Sequence, residues 1–268
     1  MSEFVHLQVK SHYSLRSGLP TPKDIVDAAQ KKGLKAVAMT DKNSFFGIIK
    51  FYNYAISKGV KPICGVDFDI ESNLKGLTKG LLLAKNKKGL EKLFSLSTKS
   101  YLQANKGIKI NENEILALRD DIIFILPTDN FSVYKSTDTQ EGKDVIATID
   151  ALKNTFSSNL YLGVTNYSDD AYDENSSNLI KFCSEKNIHA VALNDVHFIK
   201  QSDYLNHQAK VAINTGTHLR SEMENPSCSK EQYFKTFDEM KSNHKEDLLL
   251  NTFEIAKQCN VFLSEEEY

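Results

Sequence analysis

The chain has 268 residues, enough to bury one large α/β core as a single barrel-sized domain or as one domain with an appendage. A formal net charge of -2 excludes a globally basic field for nucleic acid and leaves room only for a local patch. Four cysteines, Cys64, Cys183, Cys228 and Cys259, form no close pair. That excludes a zinc knuckle or disulfide framework and fits a reducing cytosol, and no signal peptide or apolar run of membrane-spanning length is present.

Phe4 to Lys10 alternates moderately and reads as a first strand. Thr21-Pro22-Lys23-Asp24 is a helix start, with a capping threonine, proline at the first position and an acid in the first turn. Ile25, Ala28 and Ala29 supply that helix's buried stripe, and Gly33 ends it. Ala36 to Thr40 is a second strand, closing on Asp41-Lys42-Asn43, and a helix runs from Phe45 to Ser57. Strands follow at Pro62 to Ile70 and Gly80 to Ala84, then a helix from Lys88 to about Leu102 and a short one from Glu112 to Leu118. Ile122 to Leu126 is a buried strand, Asp129 to Glu141 a polar loop, and Val145 to Leu152 a helix. Leu160 to Val164 and His189 to Leu193 are strands around a helix at Ser176 to Lys186. A helix from Asp203 to about Ile213, an irregular stretch from Gly216 to Ser229 and an amphipathic helix from Lys245 to Cys259 complete the pattern. The close at Ser264 to Tyr268 reads as a cut in a longer polypeptide as readily as a natural terminus.

Alternating strands and helices imply a mainly parallel sheet, and this many apolar strands favour a closed, irregular barrel over a doubly wound sheet. The site then lies at the carboxyl ends of the strands. Those ends carry Gln8 and Lys10, Asp41 and Lys42, Asp67, Thr128, Asn166, and Asp195 with His197. Asp195 and His197 are two apart, so in extended backbone both leave the same face. A carboxylate beside an imidazole suits a metal, a phosphate or a proton relay, or simply a tied-down loop. Lys10 and Lys42 either project into solvent or pair with Asp41, Asp67 and Asp195, a fixed cation standing where an ion would. His6 reads as a structural histidine and His12 as one able to approach the site. His207 reads as structural or surface, and His189, His218 and His244 as solvated.

Phe4 to Gly18 resembles the opening of the PHP domain, in the version at the N-terminus of the alpha subunit of bacterial DNA polymerase III. Ala38 to Gly47 is similar to that family's second motif and Lys61 to Asp67 to its third. Leu82 to Asn86, Asn194 to His197, Tyr233 to Lys235 and Asn251 to Asn260 follow in the family's order. The resemblance implies an irregular (βα)7 barrel spanning residues 1–268, with about 245–268 leading toward a polymerase palm outside this chain. Active members hold metal ions and hydrolyse phosphoesters. Here the ligand pattern is depleted: Gln8 and Lys10 replace a His-x-His pair, Ser17 an aspartate, and Lys42 and Lys99 histidines. Asp67 stands for glutamate, a residue near Thr128 stands for a cysteine position, and only Asp195 and His197 are intact. An ammonium about 5 Å from a divalent ion repels it by several kcal/mol at an effective dielectric near 20.

The resemblance therefore implies a metal-free, catalytically degenerate domain with no cofactor of its own, its pocket holding a charge cluster of Lys10, Lys42, Asp67 and Asp195. Mg2+ belongs to the polymerase domain beyond this chain. The implied partners are the proofreading exonuclease subunit and the rest of the polymerase III holoenzyme, with DNA reached through the full-length polymerase, in the cytoplasm and away from membranes. A residual metal-dependent phosphoesterase or 3′-5′ exonuclease using Asp67, Asp195 and His197, with His12 a further candidate, is the competing reading. A stand-alone PHP phosphatase is a third.

Overall fold

The structure, a computed structural model, describes residues 3–15, 17–103, 108–127, 139–167 and 174–263. Its strands are β1 (Ala36–Lys42), β2 (Lys61–Glu71), β3 (Lys79–Ala84), β4 (Ile110–Asn111), β5 (Ile122–Pro127), β6 (Leu160–Thr165) and β7 (His189–Leu193). Its α-helices are α1 (Pro22–Lys31), α2 (Ile48–Ser57), α3 (Lys87–Leu102), α4 (Glu112–Leu116), α5 (Gln140–Phe156), α6 (Glu174–Lys186), α7 (Tyr204–Thr215), α8 (Leu219–Glu224), α9 (Phe237–Asn243) and α10 (Glu246–Gln258). α1 starts where its sequence demands: the Thr21 side chain accepts from Asp24 N, and Asp24 Oδ2 accepts in turn from Thr21 N. The stretch after Gly216 is not wholly irregular, since α8 forms within it. Thr128 and most of the polar segment read as a loop lie outside the described residues.

The sheet runs β1-β2-β3-β5-β6-β7, with β4 paired to β2 off this path. Residues 4–10 supply the remaining stave. Ala38 N donates to His6 O at 2.9 Å on one side, and Val196 N donates to Gln8 O at 3.0 Å on the other. The N-terminal segment thus joins the two edges of the sheet, and the protein is an irregular α/β barrel. The sheet is mainly parallel, as expected, with one exception: β3 is antiparallel to both β2 and β5. Only residues 72–78 separate β2 from β3, too few for a helical crossover, so the pair forms a hairpin.

Two apolar layers follow from strand alternation. Val5, Leu7, Ala38, Ile63, Leu83, Ile125, Val191 and Leu193 fill the barrel interior. Val37, Met39, Phe124, Leu126, Leu162 and Ala192 face the helices. The interior is narrow enough that a Cβ on Gly163 would lie 2.2 Å from Leu193 Cδ1 and force that side chain to shift. α10 plugs the amino-terminal end of the barrel. Ile255, Ala256 and Cys259 join the interior cluster, Thr252 Oγ1 accepts from Val5 N at 2.9 Å, and Asn251 Nδ2 donates to Ala190 O at 2.7 Å. The opposite end carries the polar residues.

A candidate site at the carboxyl ends of the strands

The site begins with an irregularity in the first stave. Ala38 N bonds to His6 O while Thr40 N bonds to Val9 O, so three steps of the N-terminal segment oppose two steps of β1. This is a β-bulge. It reverses the alternation: Val5 and Leu7 point into the barrel, Val9 joins the outer layer, and Gln8 and Lys10 turn inward above Leu7.

Lys10 is the centre of the site. Its side chain is 4% exposed, and its ammonium donates to Asp67 Oδ2 at 2.8 Å and to Asp195 Oδ1. Gln8 Nε2 adds a bond to Asp67 Oδ2 at 3.2 Å, while the buried Asp67 Oδ1 has no partner. Asp195 Oδ2 lies 3.0 Å from His197 Nε2. Burial alone would lower the Lys10 ammonium, but Asp195 and Asp67 overcome it and hold the group well above the usual lysine range. Burial likewise pushes Asp195 up, and the charges of Lys10 and His197 outweigh it, leaving the carboxyl well below the usual range.

A second layer fixes His197. The carbonyl oxygen of Ser17 accepts from His197 Nδ1 at 2.9 Å and from His207 Nε2 at 2.7 Å, so each of those nitrogens carries a proton. The two rings meet edge to face with centroids 5.2 Å apart. His207 Nδ1 is then free to accept from the buried Cys228 thiol, 3.2 Å away. Burial and the charge of His197 lower His207 to about 4, and burial raises Cys228 to about 12, so both are neutral near pH 7. Gly18 lets the chain pass: a Cβ there would sit 1.9 Å from Ser11 O. Gly18→Ala is expected to cost about 1–3 kcal/mol in urea unfolding; an unchanged midpoint would show that the loop relaxes freely.

The structure thus brings together Gln8, Lys10, Asp67, Asp195 and His197, with Ser17 contributing its carbonyl rather than its side chain. Asp41 lies beside them on the other face of β1, where Ser11 N, Ser11 Oγ and Ser14 Oγ donate to it at 2.6–2.7 Å. Burial raises Asp41 and these bonds oppose the rise. Three expectations are corrected, for Lys42, Lys99 and His244. Lys42 is outside the cluster: it pairs in register with Asp67, but its 43%-exposed side chain reaches Asp69 Oδ1 at 3.1 Å. Asp67 Oδ2 is already held by Lys10, and Lys42 stands at the wet rim. Lys99 lies on α3, half exposed, bonded to Glu114, and makes no contact with the cluster. His12 stacks on Tyr13 with centroids 4.3 Å apart, and His244 is buried with Nε2 3.1 Å from Val164 O rather than solvated. Ser11, Ser14, His207 and Cys228 escaped the sequence reading because their contacts join loops and helices remote in sequence; only Ser11 and Ser14, flanking the first strand's end, gave a local hint.

The donor set does not fit a divalent ion. An ammonium holds Asp67 and Asp195 by the oxygens that would bind one, and lysine, glutamine and serine side chains stand at the ligand positions the resemblance implies. Among the described residues no group of three or more His, Cys, Asp or Glu side chains is arranged to hold a metal. None of the described helices is long and apolar enough to cross a membrane.

Residues 6–166 match the model of the PHP domain. The chain is 31% identical over 279 residues to the DNA polymerase III subunit alpha of Buchnera aphidicola subsp. Schizaphis graminum, covering 100% of this chain and 24% of that protein. It is 30% identical over 276 residues to the Escherichia coli K12 subunit of the same name, covering 100% of this chain and 24% of that one. The chain therefore spans about a quarter of the length of these curated relatives. A two-domain protein from Bacteroides vulgatus, containing a predicted PHP-like metal-dependent phosphoesterase, superposes with a TM-score of 0.49 and 15% identity, over 95% of this chain and 70% of that one.

Proposed function

The chain belongs to the PHP domain family, and we propose that it is the PHP module of a bacterial replicative polymerase alpha subunit whose hydrolytic site has been closed by a lysine. The Lys10 ammonium, bonded to both Asp67 and Asp195, carries this reading. It occupies the space between carboxylates in which a divalent ion would be bound, and it supplies one positive charge with no Lewis acidity and no activated water. The neutral His207 and the Ser17 carbonyl hold His197 in a fixed orientation without giving it a substrate to act on. The module then serves the polymerase as a scaffold, with the separate proofreading exonuclease subunit as the partner it docks. The polymerase's own Mg2+ chemistry lies beyond these residues, in the cytoplasmic replication machinery.

Elemental analysis of the purified chain, dialysed against zinc and manganese, is expected to find well under one ion per chain. Release of nucleotide from a 3′-labelled oligonucleotide with added manganese is expected at background. Stoichiometric metal with turnover, lost on Asp67→Asn, would establish the phosphoesterase reading instead. Co-sedimentation of the chain with the exonuclease subunit tests the docking role separately, and its absence would remove that role alone.

A further inference from the structure

A groove of about 980 Å3 lies between α1 and the segment from Ile199 to Asn206 that opens α7, apart from the carboxylate cluster. Its lining joins apolar surface from Leu19, Pro20, Ala28, Ile199 and Tyr233 to groups of both charges. The carboxylates are engaged. Asp24 Oδ2 accepts from Thr21 N at 2.8 Å, Asp27 Oδ1 from the Tyr54 hydroxyl at 2.9 Å and Asp203 Oδ2 from Lys200 N at 3.0 Å. Glu239 takes the Tyr233 hydroxyl at 3.0 Å on one oxygen and Thr236 N at 2.6 Å on the other. The ammonium groups are not engaged. Lys31 and Lys200 make no side-chain hydrogen bond or ion pair among the described residues. The Lys32 side chain is only 23% exposed, yet its nearest carboxylate oxygen, Glu239 Oε2, stands 3.8 Å away, beyond hydrogen-bond reach. Burial lowers the Lys32 ammonium, and the charge of Glu239 opposes this. A cation withdrawn from water without a hydrogen-bonded partner is costly, and an incoming anion offsets that cost. The carboxyl end of α1 accounts for cations at positions 31 and 32, but not for Lys200 on the facing wall.

We infer that this groove binds a small organic carboxylate, with its charge at Lys32, Lys31 and Lys200 and an alkyl or aryl body against Leu19, Pro20 and Ile199. The volume is that of a small-molecule site. A single negative charge is the one that fits. Asp24, Asp27, Asp203 and Glu239 share the groove with the three lysines, so a dianion or a polyanion is repelled where a monoanion beside Lys32 is held. This inference goes beyond the closed hydrolytic site and does not rest on it.

The test is saturation-transfer NMR of phenylpropanoate with the whole chain. Transfer to the ring protons is expected, with a dissociation constant of about 1 mM, the range for a ligand of this size. Neutral phenylpropanamide is expected to bind about tenfold more weakly, for want of the charge-assisted bonds. Lys32→Met keeps the apolar stem; it is expected to weaken the carboxylate about tenfold and to leave the amide unchanged. Lys200→Ala, an exposed change, is expected to weaken the carboxylate about threefold. Lys181→Ala, on α6 and outside the groove, is expected to bind as the unaltered chain does. No transfer at ten times the expected concentration overturns the inference. So does equal binding of the amide, or carboxylate binding unchanged by both Lys32→Met and Lys200→Ala. Displacement by inorganic phosphate at equal concentration also overturns it, since that would mark a simple anion site.

Discussion

Lys10→Met is expected to lower the unfolding free energy by about 3–5 kcal/mol at pH 7, the usual cost of removing one member of a buried ion pair. Lys10 and Asp67 side chains are 4% and 7% exposed, so water cannot replace the lost ammonium at Asp67. Gln8 alone would remain on that carboxylate, whose Oδ1 already lacks a partner. Asp195 keeps His197 and a side chain 24% exposed, so most of the loss falls on Asp67. Adding Asp67→Asn to the same chain removes the stranded charge and is expected to restore a large part of the stability. Urea unfolding of the two variants and the unaltered chain makes the comparison. A second measurement separates the ion-replacing role from mere packing. Zinc is expected to leave the midpoint of the unaltered chain unmoved, since Lys10 holds the Asp67 and Asp195 oxygens. A loss below about 1 kcal/mol on Lys10→Met, or a midpoint raised by zinc in the unaltered chain, would mean that the ammonium is not what holds the carboxylates.

Stability is expected to fall steeply between pH 6.5 and pH 4, before most carboxylates titrate. His6 and His207 are both lowered to about 4, chiefly by burial. His6 lies between Phe4 and Phe234, with ring centroids at 4.8 and 4.3 Å, and its Nε2 meets Lys235 O at 2.9 Å. In the unfolded chain each imidazole binds its proton near pH 6.5, so the unfolded state carries more protons throughout this interval. Their contribution is therefore complete above pH 6.5 and lost as the pH falls toward 4, about 3 kcal/mol for each ring. The Lys10 cluster has other limits. The depressed Asp195 contributes fully above its unfolded value and fails only as the pH falls further. The raised Lys10 contributes fully below its unfolded value and fails as the pH climbs through its folded one. Urea midpoints at pH 7, 6 and 5 report the histidine slope, and His6→Gln is expected to halve it. A flat response between pH 7 and pH 5 would rule out neutral burial of both rings.

Much of the architecture was legible because apolar runs of strand length and helical stripes are local properties. Val37 to Met39, Ile122 to Leu126 and Ala190 to Leu193 could hardly be anything but buried strands, and Thr21 to Asp24 carries its own helix start. The hairpin between β2 and β3 was also there to be read, in the shortness of residues 72–78. The bulge at residues 6–9 was not, since it is defined by a mismatch with β1 some thirty positions away. Without it Lys10 and Lys42 look equivalent, two lysines at strand ends; with it one is driven into the barrel and the other is left at the rim.

The sequence alone determined which chemical groups stand at the strand ends, and the order of the motifs that assign the family. It put lysine and glutamine where the resemblance to the PHP family implies imidazoles, and that is a matter of composition at fixed positions. Tertiary structure decided which cation meets which carboxylate. Lys10 is 57 residues from Asp67 and 185 from Asp195, while Lys42 turns to Asp69 and Lys99 to Glu114. Pairing at such separations depends on strand register, burial and which oxygen is already taken, none of which is a property of any short stretch of chain.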